Sequence, residues 1–298
     1  MSKIYEALNR AEMDLAGSPE TLAKMLAPLR VATPPCPVAA VISNTAVPSS
    51  IDLSRIRQAL WNPNLAALPA LQGRGSTLEQ FRGLRSHMQE FRDLNSTKTV
   101  LVSSGLPQEG KSFVSANLAI SFARHKSARV LLIDGDMRRS SLHKVLGTNS
   151  QPGLTEYLSD AADLSEVMQR AKQDDSTTPL PKGLSSLVFI SAGGDADNAA
   201  DLSGSPRFAE LINRAAPLFD WIIVDSSPVN LVSDGVNLAR HCDATLLVAR
   251  GGVTEFKTAQ RAVSELKAST ILGFVLNAVP ESQSTSRHYG YDSISAKD

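Results

Sequence analysis

Short apolar runs alternate along the chain with longer stretches in which apolar residues recur every three to four positions. From residue 77 onward this alternation predicts a parallel sheet covered by helices on both faces, because the strands are apolar almost throughout. The predicted strands are Val100–Ser103, Val130–Ile133, Leu187–Ser191, Trp221–Val224, Ala244–Ala249 and Ile271–Leu276, and the predicted helices span 78–94, 111–125, 205–218, 234–241 and 254–268. The expected fold class is α/β, with a doubly wound and mostly parallel sheet.

Residues 1–75 follow a different pattern. A short amphipathic helix is predicted at the start, with Ile4, Leu8 and Ala11 on one face, although a frayed chain end is the alternative. The sequence that follows is rich in Pro, Ala and Ser, which predicts a flexible linker. The expected organisation is an N-terminal helix at 1–16, a linker at 17–75, an α/β domain at 76–280 and a mobile C-terminal tail at 281–298.

The segment Gly105–Ser112 matches the pattern G-x-x-x-x-G-K-[ST] between a predicted strand and a predicted helix. Glycines permit the backbone turns that direct N–H groups at phosphates, and the helix start adds partial positive charge. Lys111 is expected to reach the β- and γ-phosphates, and the Ser112 hydroxyl to ligate Mg²⁺. A chance glycine loop would not require a strand before it and a helix after it. The predicted nucleotide-binding residues here are Gly105, Glu109, Gly110, Lys111, Ser112 and Phe113, with ATP and Mg²⁺ as cofactors.

Aspartates follow two of the apolar strands. Asp134 and Asp136 come after one strand, and Asp225 after another. Carboxylates at strand ends beside a phosphate loop can hold Mg²⁺ or take the proton of an acceptor hydroxyl. Helix capping is the alternative role for each aspartate. The predicted catalytic residues are Lys111, Asp134, Asp136 and Asp225, and the predicted metal ligands are Ser112, Asp136 and Asp225; the division of roles between Asp134 and Asp136 stays open.

Composition limits the classes of partner. Thirty basic residues balance thirty acidic ones, so no overall field attracts nucleic acid, and no nucleic-acid partner is expected. Cys36 and Cys242 show no metal or disulfide spacing, which favours a reducing compartment. The sequence shows no signal peptide and no apolar run long enough to span a bilayer. A cytoplasmic location is expected, with any membrane role depending on a partner.

Together the motifs resemble those of the bacterial tyrosine kinases of capsule and exopolysaccharide loci, the BY-kinases. That family combines a phosphate loop with a D-x-D-x-R turn, here Asp134 to Arg138, and a D-x-x-P turn, here Asp225 to Pro228. The resemblance covers about residues 77–291 and implies a P-loop fold of the MinD/ParA type. It also implies that Asn277 reaches the adenine.

The resemblance extends to the predicted helix 78–94. Glu79, Arg82 and Arg85 match the family's E-x-x-R-x-x-R motif, which packs subunits into a ring-like homo-oligomer. Three-residue spacing also fits an ordinary solvated helix face with Glu–Arg pairing. The ring interface therefore rests on the resemblance alone.

The resemblance implies transfer of the ATP γ-phosphoryl group to C-terminal tyrosines of a neighbouring subunit, here Tyr289 and Tyr291. It also implies activation by a separate transmembrane polysaccharide co-polymerase at the inner face of the cell membrane. Two features depart from the family pattern. The tyrosine cluster has only two members, and the D-x-x-P turn reads Asp-Ser-Ser-Pro instead of the commoner Asp-Thr-Pro-Pro.

Two other functions stay open at this point. A MinD/ParA-like ATPase shares the fold, but that group carries an additional lysine where this chain has Leu106. A nucleotide-sensing scaffold that regulates polysaccharide export without efficient phosphorylation fits the small number of tyrosines.

Overall fold

The computed structural model describes residues 53–125, 128–172 and 180–279, and these residues contain one eight-stranded sheet. The strands are β1 Arg57–Ala59, β2 Thr99–Ser104, β3 Val130–Asp134, β4 Met168–Ala171, β5 Leu187–Ile190, β6 Trp221–Asp225, β7 Ala244–Arg250 and β8 Ile271–Asn277. The helices are α1 Ser76–Asn95, α2 Lys111–Ala123, α3 Leu142–Leu146, α4 Leu154–Leu158, α5 Leu164–Val167, α6 Ala199–Ser203, α7 Pro206–Ala215, α8 Asp234–Ala239 and α9 Phe256–Glu265. The predicted helix at 1–16 and tail at 281–298 lie outside the described residues.

The strand order is β1-β4-β5-β3-β6-β2-β7-β8. Six neighbouring strands, β5 to β8 in this order, are parallel to one another, and β4 pairs with β5 in the antiparallel sense. The prediction of a mostly parallel α/β sheet is confirmed. Strand β2, which precedes the phosphate loop, lies between β6 and β7, so the loop leaves the middle of the sheet.

Helices cover both faces of the sheet, which explains why the central strands are apolar throughout. Leu101 and Val224 pack into one core with helices α4, α7 and α8, whereas Val100 and Ile223 pack into another with α1 and α2. Successive residues of a strand point to opposite faces. Every residue of β2, β3, β5 and β6 is accordingly buried.

The structure corrects the predicted linker boundary, because residues 53–75 belong to the folded domain. Strand β1 pairs with β4 at the edge of the sheet. Trp61 packs edge-on against Phe189, with ring centroids 6.2 Å apart, and Leu68 is fully buried. The Asn117 side chain of α2 accepts a hydrogen bond from Ala70 N at 3.0 Å. A three-residue strand followed by Pro and Ala has no periodicity, so its sequence was indistinguishable from a linker.

The sequence also failed to predict β4 and the short helices α3 to α6. None of these elements exceeds five residues, which is too short for a periodic pattern. Within the described ranges, no helix combines the length and apolar character that crossing a bilayer requires.

Candidate active site

The phosphate loop runs from the end of β2 at Ser104 to the start of α2 at Lys111. Gly110 adopts φ 97°, in the left-handed region, and a Cβ atom there would lie 1.9 Å from Nδ2 of Asn277. Only glycine therefore fits this position. The first amides of α2 have no carbonyl within the helix to bind. They supply the donors and the partial positive charge that a phosphate group requires.

The loop is held in shape by the buried carboxylate of Glu109. One of its oxygens accepts a hydrogen bond from Leu106 N at 2.8 Å, and the other accepts one from the Thr254 hydroxyl. Asn277 Nδ2 donates to the main-chain oxygen of Glu109 at 3.0 Å. The Glu109 carboxylate therefore holds the shape of the loop, and the contact of Glu109 with the nucleotide stays a prediction. Thr254, which sequence reasoning missed, fixes the carboxylate from the loop after β7.

The side chains of Phe113 and Asn277 make contacts within the protein, and nucleotide binding by both residues stays a prediction. The Phe113 ring packs against Phe81 of α1, with centroids 5.8 Å apart, so only its main-chain N–H remains to meet a phosphate. The side chain of Asn277 braces the loop at Glu109, and its predicted contact with adenine stays a prediction.

The three predicted aspartates lie together at the carboxyl edge of the sheet. Asp134 and Asp225 are register partners on the adjacent strands β3 and β6. The ammonium of Lys111 lies 2.8 Å from Oδ2 of Asp136, and both side chains are largely buried. The strand order brings these groups together. Strand β6 lies between β3 and β2, and the phosphate loop follows β2, so the ends of all three strands are close in space.

Asp134 and Asp136 face different partners. The oxygens of Asp134 accept hydrogen bonds within their own loop, from Asp136 N, the Ser140 hydroxyl, Ser141 N and Leu142 N, at 3.1 to 3.3 Å. Asp136 accepts one main-chain bond, from Arg139 N at 3.1 Å, and presents its other oxygen to Lys111. Asp134 thus organises the loop, while Asp136 faces Lys111.

Burial and mutual repulsion shape the charges of this cluster. Burial, followed by repulsion from Asp225, raises the pKa of Asp134 to about 7. Burial likewise raises the pKa of Asp225 to about 6, against the attraction of Lys111. Burial alone would lower the pKa of Lys111, but Asp225, Asp136 and Asp134 together raise it. Lys111 therefore stays charged. Its single positive charge does not balance the negative charge of the surrounding carboxylates.

The residues present fit a magnesium ion. Oδ1 of Asp225 accepts a hydrogen bond from the Ser115 hydroxyl at 3.1 Å, whereas its buried Oδ2 has no hydrogen-bond partner among the described residues. The Ser112 hydroxyl is close enough to Asp225 to lower its pKa. A buried oxygen without a donor is the environment that a hard cation satisfies. The described residues contain no group of three or more His, Cys, Asp or Glu side chains arranged around a metal. Oxygens from nucleotide and water would therefore complete the coordination.

The D-x-D-x-R turn is anchored by a residue that the sequence did not indicate. Arg138 donates to both oxygens of Asp234, with Nε 2.6 Å from Oδ2 and Nη2 3.3 Å from Oδ1. The Asp234 carboxylate is buried in the first turn of α8. This ion pair fastens the loop of Asp134 and Asp136 to the neighbouring helix. Asp234 lies nine residues after Asp225, and no motif singled it out.

Comparisons with known proteins agree with this geometry. The family model of the CobQ/CobB/MinD/ParA nucleotide binding domain matches residues 100–291. Tyrosine-protein kinase CpsD of Streptococcus pneumoniae serotype 4 is 33% identical over 202 residues, which are 67% of this chain and 83% of that protein. The chain belongs to the BY-kinase family.

One longer BY-kinase and one solved kinase domain show how much of this chain resembles known kinases. Tyrosine-protein kinase ptk of Acinetobacter johnsonii is 31% identical over 236 residues, which cover 78% of this chain but 31% of that protein. The chain thus spans about a third of the length of that relative. The kinase domain of Escherichia coli tyrosine kinase ETK superposes with a TM-score of 0.66 at 29% identity, over 81% of this chain and 89% of that domain.

The BY-kinase helix motif lies on α1, and its three residues have different surroundings. Arg82 and Glu79 are exposed and form an ion pair at 2.5 Å. Arg85 turns toward α2, where its Nη1 donates to Ser121 O at 3.0 Å. Glu79 and Arg82 remain accessible to another subunit, whereas Arg85 is partly committed to its own domain. The tyrosines Tyr289 and Tyr291 lie outside the described residues.

Proposed function

We propose that this BY-kinase is an ATP-dependent protein-tyrosine autokinase that regulates capsular or exopolysaccharide synthesis and export. It transfers the γ-phosphoryl group of ATP to Tyr289 and Tyr291 of a neighbouring copy. The observation that carries the proposal is the 2.8 Å contact between Lys111 and Asp136 at the start of α2. It places a carboxylate directly beside the lysine that binds the terminal phosphates, where an acceptor hydroxyl must enter.

The phosphate loop binds and orients the nucleotide. The amides at the start of α2 bind phosphate oxygens, and Lys111 exchanges Asp136 for the β- and γ-phosphates when ATP enters. Ser112 and Asp225 would hold Mg²⁺, with Asp136 nearby. When bound, the metal neutralises charge on the phosphate oxygens. The Glu109 carboxylate holds the shape of the loop through its hydrogen bonds from Leu106 N and the Thr254 hydroxyl.

Asp136 is the proposed partner of the acceptor tyrosine. The tyrosine oxygen forms the new bond to the γ-phosphorus, the bond to the β–γ bridging oxygen breaks, and ADP leaves. The phenolic proton passes to a carboxylate, because a tyrosine hydroxyl with a pKa of about 10 needs an acceptor at neutral pH. Asp136 suits this role since one of its oxygens becomes free once Lys111 moves to the phosphates. The four hydrogen bonds to Asp134 commit that side chain to its loop.

Assembly and location follow from the family likeness. We infer a ring-like homo-oligomer in which α1, with Glu79, Arg82 and Arg85, contacts the next subunit. A separate transmembrane polysaccharide co-polymerase would act as activator and hold the kinase at the cytoplasmic face of the membrane. The exposed Glu79–Arg82 pair supports the first inference, because both side chains are accessible to a neighbour.

The proposal is tested by incubating the full chain with labelled ATP and Mg²⁺ and measuring phosphotyrosine by mass spectrometry. Phosphotyrosine should appear in the wild type and disappear in Lys111→Met and in the double variant Tyr289→Phe/Tyr291→Phe. The double variant should still bind nucleotide, which separates loss of the acceptor from loss of the site. ATP hydrolysis without phosphotyrosine, even with the cytoplasmic segment of the membrane partner added, would instead support a MinD/ParA-like ATPase or a regulatory scaffold.

A further inference from the structure

A cavity of about 230 Å³ lies between α1, the end of α2 and the loop that precedes β5. We call it the basic cavity, because four of its lining side chains are cationic, namely Arg82, Arg85, Arg124 and Lys182. None of its lining residues is acidic. It lies at the opposite end of α2 from the phosphate loop, so it is a separate location from the nucleotide site.

The positive charge of the basic cavity is largely unneutralised. Arg82 pairs with Glu79 at 2.5 Å. In the part of the chain that the structure describes, no carboxylate lies within 4.0 Å of the cationic groups of Arg85, Arg124 or Lys182. Three formal charges therefore share one cavity without a carboxylate in direct contact among the described residues, and Glu79 attracts Arg85 only from a greater distance.

Two of these cations are held in place by neutral acceptors. Arg85 Nη1 donates to Ser121 O, while its buried Nε has no hydrogen-bond partner among the described residues. Arg124 Nη1 donates to the main-chain oxygens of Ala70 and Gln72. Gly183 packs on the stem of Arg124, since a Cβ there would lie 2.6 Å from Arg124 Cγ. Both guanidinium groups are thus positioned before any ligand arrives.

Compensation of the α2 dipole does not account for this much charge. The carboxyl end of a helix carries the equivalent of roughly half a negative charge, which one cation offsets. Burial and then repulsion from Arg82 and Arg124 lower the pKa of Arg85, so the cations crowd one another. Crowded and prepositioned guanidinium groups are characteristic of oxyanion recognition, because their N–H groups match paired oxygens.

We propose that the basic cavity binds a phosphate dianion, either inorganic phosphate or the phosphate of a monoester. Arg85 and Arg124 supply directed hydrogen bonds, and Lys182 adds a mobile charge at the exposed side. The cavity adjoins the face of α1 that carries Glu79 and Arg82, so an occupied cavity changes the charge next to the proposed subunit contact. This site is independent of the proposed kinase reaction.

The test is isothermal titration calorimetry of the full chain with inorganic phosphate and, separately, with phenyl phosphate. The phosphate loop is first saturated with a non-hydrolysable ATP analogue and Mg²⁺, which fills the position of the terminal phosphate, so that added phosphate does not contribute heat there. Saturable binding of one phosphate per chain is expected. Tighter binding of phenyl phosphate would point to a phosphorylated side chain as the source, and tighter binding of inorganic phosphate to the free ion.

Variants connect the binding to the cavity. Lys182→Gln and Arg85→Gln should each weaken phosphate binding about tenfold, the usual loss for one charge-assisted contact. Lys257→Gln, which removes an exposed lysine on α9, is the matched control and should bind as the wild type does. Lys111→Met should lose Mg·ADP but keep the phosphate site, which separates this proposal from the nucleotide-binding one. Absence of saturable phosphate binding in the wild type, or wild-type affinity in both Lys182→Gln and Arg85→Gln, would overturn the proposal.

Discussion

The ammonium of Lys111 lies 2.8 Å from Oδ2 of Asp136, across the boundary between the phosphate loop and the D-x-D-x-R turn. This contact joins two motifs that are separated by strand β3. In the proposed mechanism, nucleotide binding moves Lys111 to the terminal phosphates and leaves the Asp136 carboxylate beside them.

Asp136→Asn should reduce phosphotyrosine formation at least about 100-fold, because it removes a charge beside the transferring group. Affinity for Mg·ADP should change only a few-fold, since the phosphate loop keeps its amides and Lys111. Phosphotyrosine is measured by mass spectrometry and affinity by calorimetry. If both fall equally, Asp136 maintains the structure of the site and has no separate role in transfer.

The nucleotide-free protein should lose stability as the pH rises from about 4 to about 7. The folded pKa values of Asp134 and Asp225 are raised above the unfolded ones, so the native state binds more protons in this window. The stability that protonation contributes is present at low pH and is lost as both groups ionise. Asp225→Asn should therefore raise the free energy of unfolding at pH 8 by on the order of 2 kcal/mol, and should abolish stabilisation by Mg·ADP.

Urea denaturation at pH 5 and pH 8 measures this effect. Asp93→Asn, an exposed change on α1, serves as the control and should leave the pH dependence unchanged. An Asp225→Asn variant that is no more stable than the wild type at pH 8 would show that the buried carboxylates do not repel each other as described.

Thr254→Val should weaken nucleotide binding about tenfold, through the shape of the phosphate loop. The variant removes the hydroxyl that donates to Glu109 and leaves a buried carboxylate oxygen short of a donor, at a cost of about 1–3 kcal/mol. Calorimetry with Mg·ADP measures the change. Ser264→Ala removes an exposed hydroxyl from α9 and should bind nucleotide normally. Wild-type affinity in Thr254→Val would mean that Leu106 and Asn277 hold the loop without it.

Arg138→Gln should lower the free energy of unfolding by about 2 kcal/mol, because it leaves the buried carboxylate of Asp234 without its charged partner. The expected loss is no larger because the Arg138 side chain is 38% exposed, so that solvent screens the ion pair. Arg139→Gln is the matched control, because the Arg139 side chain is exposed. Equal stability of the two variants in urea titration would contradict the anchoring role of Arg138.

Arg82→Ala combined with Arg85→Ala should shift assembly toward the monomer, as measured by multi-angle light scattering. Arg82→Ala alone should cause most of the shift, because its side chain is exposed whereas Arg85 bonds to Ser121 of its own domain. Gln80→Ala, on the same helix and also exposed, is the control. An unchanged mass in the double variant would remove α1 from the subunit interface.

Local pattern was sufficient to predict the long elements. Strands β2, β3, β5, β6, β7 and β8 and the helices of ten or more residues were each predicted within about four residues of their observed ends. Runs of buried apolar residues and a 3.6-residue period leave a clear signature. Strand β1, by contrast, has three residues and a partner, β4, more than a hundred positions away. Its place in the sheet depends on that partner, which no local pattern reveals.

The sequence by itself determined the α/β class, the phosphate loop and the three aspartates at strand ends, because these features are written in consecutive residues. Only the tertiary structure decided that Asp136 faces Lys111 while Asp134 binds its own loop. It also decided that Glu109 is held by Thr254, a residue 145 positions away. The physical reason is that hydrogen bonds and ion pairs depend on distance in space. The order in which the sheet arranges its strands sets that distance between residues remote in the chain.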